Sequence, residues 1–597
     1  MTAPSPALDA SKPLALLLTS DGETIDSDRI VSIEIWNEAN RIPRARIVFT
    51  DGQAEAGKFP LSRSDRFEPG KRIEITAGYG SETEVIHSGL VIRHSLKIVP
   101  EATPQLIVET ADPLLRMTLS RVSALSAQTT DKAIISALVA AGGGTVGANE
   151  AKTSEHEALI QFHASDWDLM LLRAEASGCL VYVDDAKVDV VAPKLGAPVL
   201  AIEYGDDLVA FDATIDAPSQ IASSAAKSRS WSHAEQALKE AGGSAPSLDS
   251  PGNLSSATLA NTFAVATAMQ QSGAAIDEAR LGEWSTAALL RAALARVRGT
   301  ARFQGSSLAR PGTTVTLSGM GERFDGDAYV TGVRHQLQEG RWLTTATFGL
   351  GGDGFASRNT DVGAAPAAGL VPPARGLHTG TVTQVAVDPQ GDFRVKVSLP
   401  LVDGGSSLWA RLGHGYASSG FGSNFHPEVG DEVVLGFMDE DPASPIVLAS
   451  LYSRTRAPAY PANEENDKKA IVTRSKMEIT FDDKDVVLEL KTPAGRLMRL
   501  DDKAKTVTIT DPFANKIVMS EASVEIVSAS EMRLTSGTDM KIDCGGTLSV
   551  EAKLDCTVDA PQITATAASK LSLLSNAVGE LKAAAPLTIT GAIVKIN

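Results

Sequence analysis

From Val524 onward, apolar side chains recur in pairs two residues apart, and the pairs recur every eight residues: Val524/Ile526, Met532/Leu534, Met540/Ile542, Leu548/Val550 and Cys556/Val558. After Ala560 and Pro561 the register slips by one residue, and the octad resumes with Ile563/Ala565, Leu571/Leu573, Gly579/Leu581 and Leu587/Ile589. The alternation inside a pair is that of a strand with one buried face, and the octad is a strand plus a corner. Each octad offers two inward side chains and is otherwise mostly Ser, Thr, Lys, Asp and Glu, so one chain coiled on itself would have almost no core. Three identical chains wound about one axis would pool these pairs into a filled triangular prism and satisfy each other's strand edges. A single-chain β-solenoid is the alternative, but its coils need nearer ~20 residues per turn.

From Met477 to Met519 the spacing loosens, and turns at Thr492-Pro493-Ala494-Gly495 and Asp511-Pro512 predict a meander leading into this needle. Upstream, residues 14 to 125 read as a β-rich unit, with strands at Ile30 to Ile35, Ala45 to Phe49, Ile73 to Ala77, Val85 to Ile92 and Gln105 to Thr110. A helix is expected over Thr130 to Ala141, and a second after the N-cap Ser165, with Gly178 just past its end. Leu180 to Val183 and Val188 to Val191 read as a hairpin. Residues 223 to 300 are rich in Ala, Ser and Gln and read as mostly helical, with Gly299 as the final stop. A second β unit follows, then an Ala/Pro/Gly linker from Gly363 to Arg375, then five short strands suited to a small OB-type barrel. The expected divisions are 1–13 (tail), 14–222 (first hub unit), 223–300 (helical segment), 301–360 (second hub unit), 361–375 (linker), 376–455 (OB barrel) and 456–597 (needle).

A net charge of −18 in 597 residues argues against nucleic acid or an anionic membrane as the main partner. There is no apolar run of transmembrane length, and Met1 to Pro13 lack the pattern of a secretory leader. The expectation is synthesis in the cytoplasm and export by another route. Cys179, Cys544 and Cys556 have no metal-binding spacing.

In the barrel region, Arg394-Val395-Lys396-Val397, Trp409-Ala410-Arg411, Phe425-His426-Pro427-Glu428-Val429-Gly430-Asp431-Glu432-Val433 and Asp441-Pro442-Ala443-Ser444-Pro445-Ile446-Val447 resemble the VgrG family, the trimeric hub-and-spike proteins of contractile injection systems and related phage tail hubs. Phe67-Glu68-Pro69-Gly70, Ser165-Asp166-Trp167-Asp168 and Tyr329-Val330-Thr331-Gly332-Val333-Arg334-His335 are similar to the hub region of the same family. The resemblance implies a mainly β, multidomain chain: two hub β-barrels with helical insertions, an OB-fold barrel, and a C-terminal triple-stranded β-helix formed by a homotrimer. It also implies a central spike, most simply of an extracellular phage-tail-like particle, the alternative being a type VI secretion spike. The partners it implies are inner-tube, tube-initiator and baseplate proteins at the hub, and a small proline-alanine-alanine-arginine (PAAR) repeat protein seated on Ile593, Val594, Ile596 and Asn597. About 25 residues separate Tyr452 from Met477, too few for an enzyme domain, and none is expected past the needle.

The chemistry-bearing residues have plainer explanations. His163 precedes a helix cap, His414 and His426 lie in a glycine-rich loop, and Asp439-Glu440-Asp441 reads as a turn before Pro442. No cofactor, metal or catalytic group is expected. Two readings of another kind remain: an envelope-degrading enzyme hidden in 223–300, where His233 is the sole histidine, and an adhesin that uses the prism as a stalk.

Overall fold

The structure, a computed structural model, describes residues 3–6, 12–52, 57–229, 238–244, 248–264, 267–274, 276–402 and 407–596. The chain divides into two compact units, Met1–Leu451 and Tyr452–Asn597.

In the first unit, the strands Leu14–Ser20, Glu23–Ile25, Ile30–Glu38, Arg44–Thr50, Arg72–Tyr79, Glu82–Lys97 and Gln105–Ala111 alternate inward and outward residues. Their inward side chains, among them Leu18, Ile33, Ile35, Ile47, Phe49, Ile73, Ile75 and Val108, close over Phe67 in a dry core. A second core, with Leu200, Ile202, Phe303, Val315, Leu317, Val330 and Phe348, is enclosed by Pro198–Glu203, Leu208–Ile215, Val297–Gln304, Thr314–Ser318, Gly326–Gln338 and Arg341–Phe348. The resemblance implies a hub of two β-barrels, and two β units with distinct cores are found. The two halves are joined in one thirteen-stranded sheet, because Gly326–Gln338 pairs antiparallel with Ile30–Glu38 from Gly332↔Glu38 to Gln338↔Ser32. Among the described residues the sheet is not closed, and each half curls round its own core.

Between the halves lies the helical insertion. Helix α1 (Asp131–Ala141) is capped by Thr130, and α2 (Asp166–Ala176) by Ser165, whose hydroxyl accepts from the Asp168 amide at 3.0 Å. Gly178 then takes the left-handed φ of +71° that lets the chain leave the helix. Both helices pack on the hairpin Leu180–Asp184/Lys187–Val191 around Val139, Met170, Val181, Val188 and Val190.

The expected helical run over 223–300 is corrected. Only α3 (Glu278–Ala295) is a long helix, and it lies on a three-stranded sheet of Ser224–Arg229, Leu238–Gly242 and Ala268–Ser272. The Ala, Ser and Gly content reflects close helix-on-sheet packing, since a Cβ on Gly243 would stand 2.5 Å from the Ser285 carbonyl carbon. Gly299 is not a helix stop. It sits within Val297–Gln304, where a Cβ would meet the Asp212 carbonyl oxygen at 2.3 Å.

The barrel at the end of this unit is closed, in the order His378–Gln384, Val395–Ser398, Ser407–Leu412, Pro445–Leu451, Glu432–Phe437. Val382, Val395, Val397, Ala410, Val433, Leu435 and Val447 fill it.

The second unit begins as a seven-stranded antiparallel meander, Lys468–Val472, Glu478–Asp482, Val487–Lys491, Leu497–Asp501, Thr506–Thr510, Lys516–Met519 and Val524–Val527. Its turns include the two expected from the sequence, the first with Gly495 at φ +83°.

Candidate functional site

The registers of the meander align two apolar rows on one face. Ile471, Ile479, Leu490, Met498, Ile509, Ile517 and Ile526 form the first, each directly opposite the next. Phe481, Leu488, Leu500, Val507, Met519 and Val524 form the second. The reverse face is polar, with Arg499 donating to Glu489 at 2.7 Å and to Asp501 at 2.8 Å. Such a sheet is half of a sandwich whose other half the described residues of this unit do not supply: Phe481 is 45% exposed and Ile526 54%.

Beyond Val527 the described chain makes no strand ladder with itself. Its backbone bends at 529–530, 537–538, 545–546, 553–554 and 561, then at 568–569, 576–577, 584–585 and 592. These corners keep the eight-residue period of the sequence and slip by one residue after Pro561. At two successive corners a serine hydroxyl ties the turn, Ser528 to the Glu531 carbonyl and Ser536 to the Asp539 carbonyl, each at 2.8 Å. The octad side chains Met532, Leu534, Met540, Ile542, Leu548, Val550, Cys556, Val558, Ile563, Leu571, Leu573, Leu587 and Ile589 are all exposed in the single chain. So are Ile593, Val594 and Ile596, while Asn597 lies outside the described residues.

The described histidines singled out in the sequence lie in separate local settings. His163 occupies a bulge between Gln161 and Ala164 with φ +45°, its amide donating to the Ser123 hydroxyl at 3.1 Å. The His414 and His426 rings lie 5.8 Å apart, and no cluster of three metal-type ligands occurs among the described residues. Asp439, with φ +53°, and Asp441, accepting from the Ala443 amide at 2.8 Å, make the turn before the last barrel strand. His233 lies outside the described residues.

A buried polar cluster was missed because its members are far apart in sequence. Asp131 accepts from Arg173 Nε at 2.6 Å and Nη2 at 2.9 Å, from the Ser177 hydroxyl at 3.0 Å, and from His156 Nε2 at 2.8 Å. Arg280 Nη1 approaches His156 Nδ1 at 3.0 Å. A guanidinium can only donate, so Nδ1 accepts and the ring proton sits on Nε2, facing Asp131. Burial would raise the Asp131 carboxyl, but the Arg173 hydrogen bonds and charge, with His156, outweigh it and hold the group below its ordinary value. The cluster joins α1, α2 and the N-terminal end of α3, and its Ser177 hydroxyl meets a carboxylate already tied by two bonds from the Arg173 guanidinium, not the imidazole. It fastens the insertion and has no nucleophile geometry.

No helix among the described residues is long and apolar enough to cross a membrane. Residues 378–452 match the model of the type VI secretion system/phage-baseplate injector OB domain family. Over 121 residues the chain is 30% identical to the actin cross-linking toxin VgrG1 of Vibrio cholerae serotype O1, covering 17% of this chain and 11% of that protein. Over 121 residues it is likewise 30% identical to the type VI secretion system spike protein VgrG3 of Vibrio cholerae serotype O1, covering 17% of this chain and 12% of the relative. The chain thus spans about a tenth of the length of these curated relatives. Among solved structures it is similar to the 43 kDa tail protein of prophage MuSo2 from Shewanella oneidensis, at 10% identity over 57% of this chain and 98% of that one, with a TM-score of 0.43. The chain thus resembles VgrG proteins over part of its length and carries a barrel of the type VI secretion/phage-baseplate injector OB kind. The chain belongs to the family described as the Alg8 N-terminal domain, whose model matches residues 11–339, more than half of its length.

Proposed function

We propose that this protein is the homotrimeric central spike and baseplate hub of a contractile injection system, a structural protein driven point-first through a target envelope. The observation that carries this reading is the stretch after Val527, where bends recur every eight residues while the backbone finds no strand partner among the described residues. Unpaired strand edges and exposed apolar pairs at this period are supplied with partners when three copies wind about one axis. The apolar face of the meander from Lys468 to Val527 closes in the same way, and the needle of 456–597 becomes a rod without free edges.

In this reading residues 14–360 form the hub that meets inner-tube and baseplate proteins, 376–455 the barrel collar, and Ile593, Val594, Ile596 and Asn597 the seat of a small PAAR-type tip protein. Deleting 590–597 is expected to abolish co-purification of the tip protein while leaving hub assembly intact, and its retention would contradict this seat. The particle is read as an extracellular phage-tail-like one. The relatives named as type VI secretion spikes favour the alternative. Imaging native particles that carry a tagged chain separates the two: free contractile particles with the tag on the axis of the baseplate support the first, and a tag confined to cell-envelope complexes supports the second. A tag absent from both would contradict the spike assignment.

A further inference from the structure

A cleft of about 1130 Å³ opens in the first unit between the outer face of the thirteen-stranded sheet and helix α2. Its floor carries Trp36 and Arg44, directly opposite each other on adjacent strands, and Arg334 stands opposite Trp36 on the strand at its other side. The guanidinium carbons of Arg334 and Arg44 stand 5.6 and 5.3 Å from the Trp36 ring centre, so the indole is held between two cations. One pleat further, Arg46 lies between Glu34 and Glu109.

The acidic groups of the cleft are already engaged. Glu109 pairs with Arg93 at 3.1 Å and Glu38 with Arg41 at 3.1 Å, while Asp168 accepts the Ser165 hydroxyl at 2.6 Å; next to the cleft, Glu34 pairs with Arg334 at 2.7 Å. Among the described residues, Arg44, Arg46 and Arg358 form no ion pair. The opposite wall includes the exposed Leu119 and the part-buried Phe355, which rests on the core around Trp167. In a chain of net charge −18 the cleft gathers Arg41, Arg44, Arg46, Arg93 and Arg358 against Glu38, Glu109 and Asp168, a local excess of positive charge beside an apolar wall.

We infer that the cleft seats an extended acidic segment of a partner protein, in which carboxylates alternate with apolar side chains. An extended strand sends successive side chains to opposite sides. Its carboxylates meet Arg44, Arg46 and Arg358, where guanidinium–carboxylate pairing is strongest in a partly dry site, and the alternate apolar residues pack on Leu119 and Phe355. This docking site does not depend on the threefold needle.

The test is titration of the full-length protein with a synthetic octapeptide of alternating glutamate and leucine, followed by tryptophan fluorescence, with Trp36→Phe identifying the reporting ring. Saturable binding is expected, weakened roughly tenfold or more by the Arg44→Ala/Arg46→Ala pair and by Arg358→Glu, and screened by salt. A lysine–leucine octapeptide should give no response. An unchanged thermal transition shows that the variants are folded. Equal affinity in the variants, no binding at about 1 mM peptide, or equal binding of inorganic phosphate alone would overturn the inference. So would protection of Arg44→Cys from maleimide in the purified protein, because the cleft would then be filled by a second copy of this chain.

Discussion

Ile517 and Ile526 stand directly opposite each other on adjacent antiparallel strands, and among the described residues Ile526 is the last octad side chain with a strand partner in its own chain. The next apolar pair, Met532/Leu534, keeps the same spacing but faces solvent, at 50% and 68% exposure. The pattern of the sequence therefore outruns the pairing found among the described residues of one chain, and the proposed trimer is what would supply the remaining partners.

If three chains pool these pairs, Leu548→Asp places three carboxylates round one axis, where lost hydration and like charge cost several kcal/mol. Assembly yield and heat resistance should collapse. Ser549→Asp, one residue along and outward, should be tolerated within about 0.5 kcal/mol per chain. Thermal melting of the two variants checks this, and equal damage at both positions means that the register is wrong.

Cys556 tests parallel, in-register winding. It occupies an inward octad position, so three thiols should lie at one level of the axis, whereas Cys544 falls outside the pair pattern. Oxygen with copper–phenanthroline as oxidant should join two of the three chains by a disulfide, seen as a non-reduced dimer band. The band should vanish in Cys556→Ser and persist in Cys544→Ser.

Much of this architecture was legible along the chain. Period-two alternation located the strands of both units, and the capping residues Thr130 and Ser165 located two helices, because these signals are local. The union of the hub halves was not legible, since Arg334 and Trp36 meet across about 300 residues with nothing but an ordinary half-buried strand pattern to announce it. The 223–300 segment misled for a different reason: small residues that favour a helix also let a helix lie close on a sheet, as at Gly243 and Ser285. The octads of the needle were visible because a repeat with one buried face repeats its composition. The cleft was invisible, since Arg44, Arg93 and Arg358 come from separate elements.

Asp131 fastens the helical insertion. Asp131→Ala leaves the half-buried guanidinium of Arg173 without its carboxylate and should destabilise the hub by about 3–5 kcal/mol. Chemical denaturation followed by tryptophan fluorescence checks this, and a loss under about 1 kcal/mol would show that the cluster is not holding the insertion.

Two buried histidines set the acid sensitivity of the hub. Burial lowers His87, which meets the Thr110 hydroxyl at 2.8 Å, to about 4, and His335, beside Thr344 and Trp342, to about 3. The unfolded chain takes up these protons near pH 6.5 and the folded hub does not, so stability is full above that value and falls as the pH drops toward 4. By pH 4.5 the loss should be about 2–3 kcal/mol for each ring. Unfolding followed from pH 7.5 to 4.5 should show this slope, and His87→Gln with His335→Gln should flatten it.

The central claim is that the chain after Val527 finds its partners in two further copies of itself. Measuring the mass of the purified full-length protein in solution, by light scattering or native mass spectrometry, tests it most directly. The account predicts three times the mass of the chain, unchanged on dilution. A stable, folded monomer would contradict it.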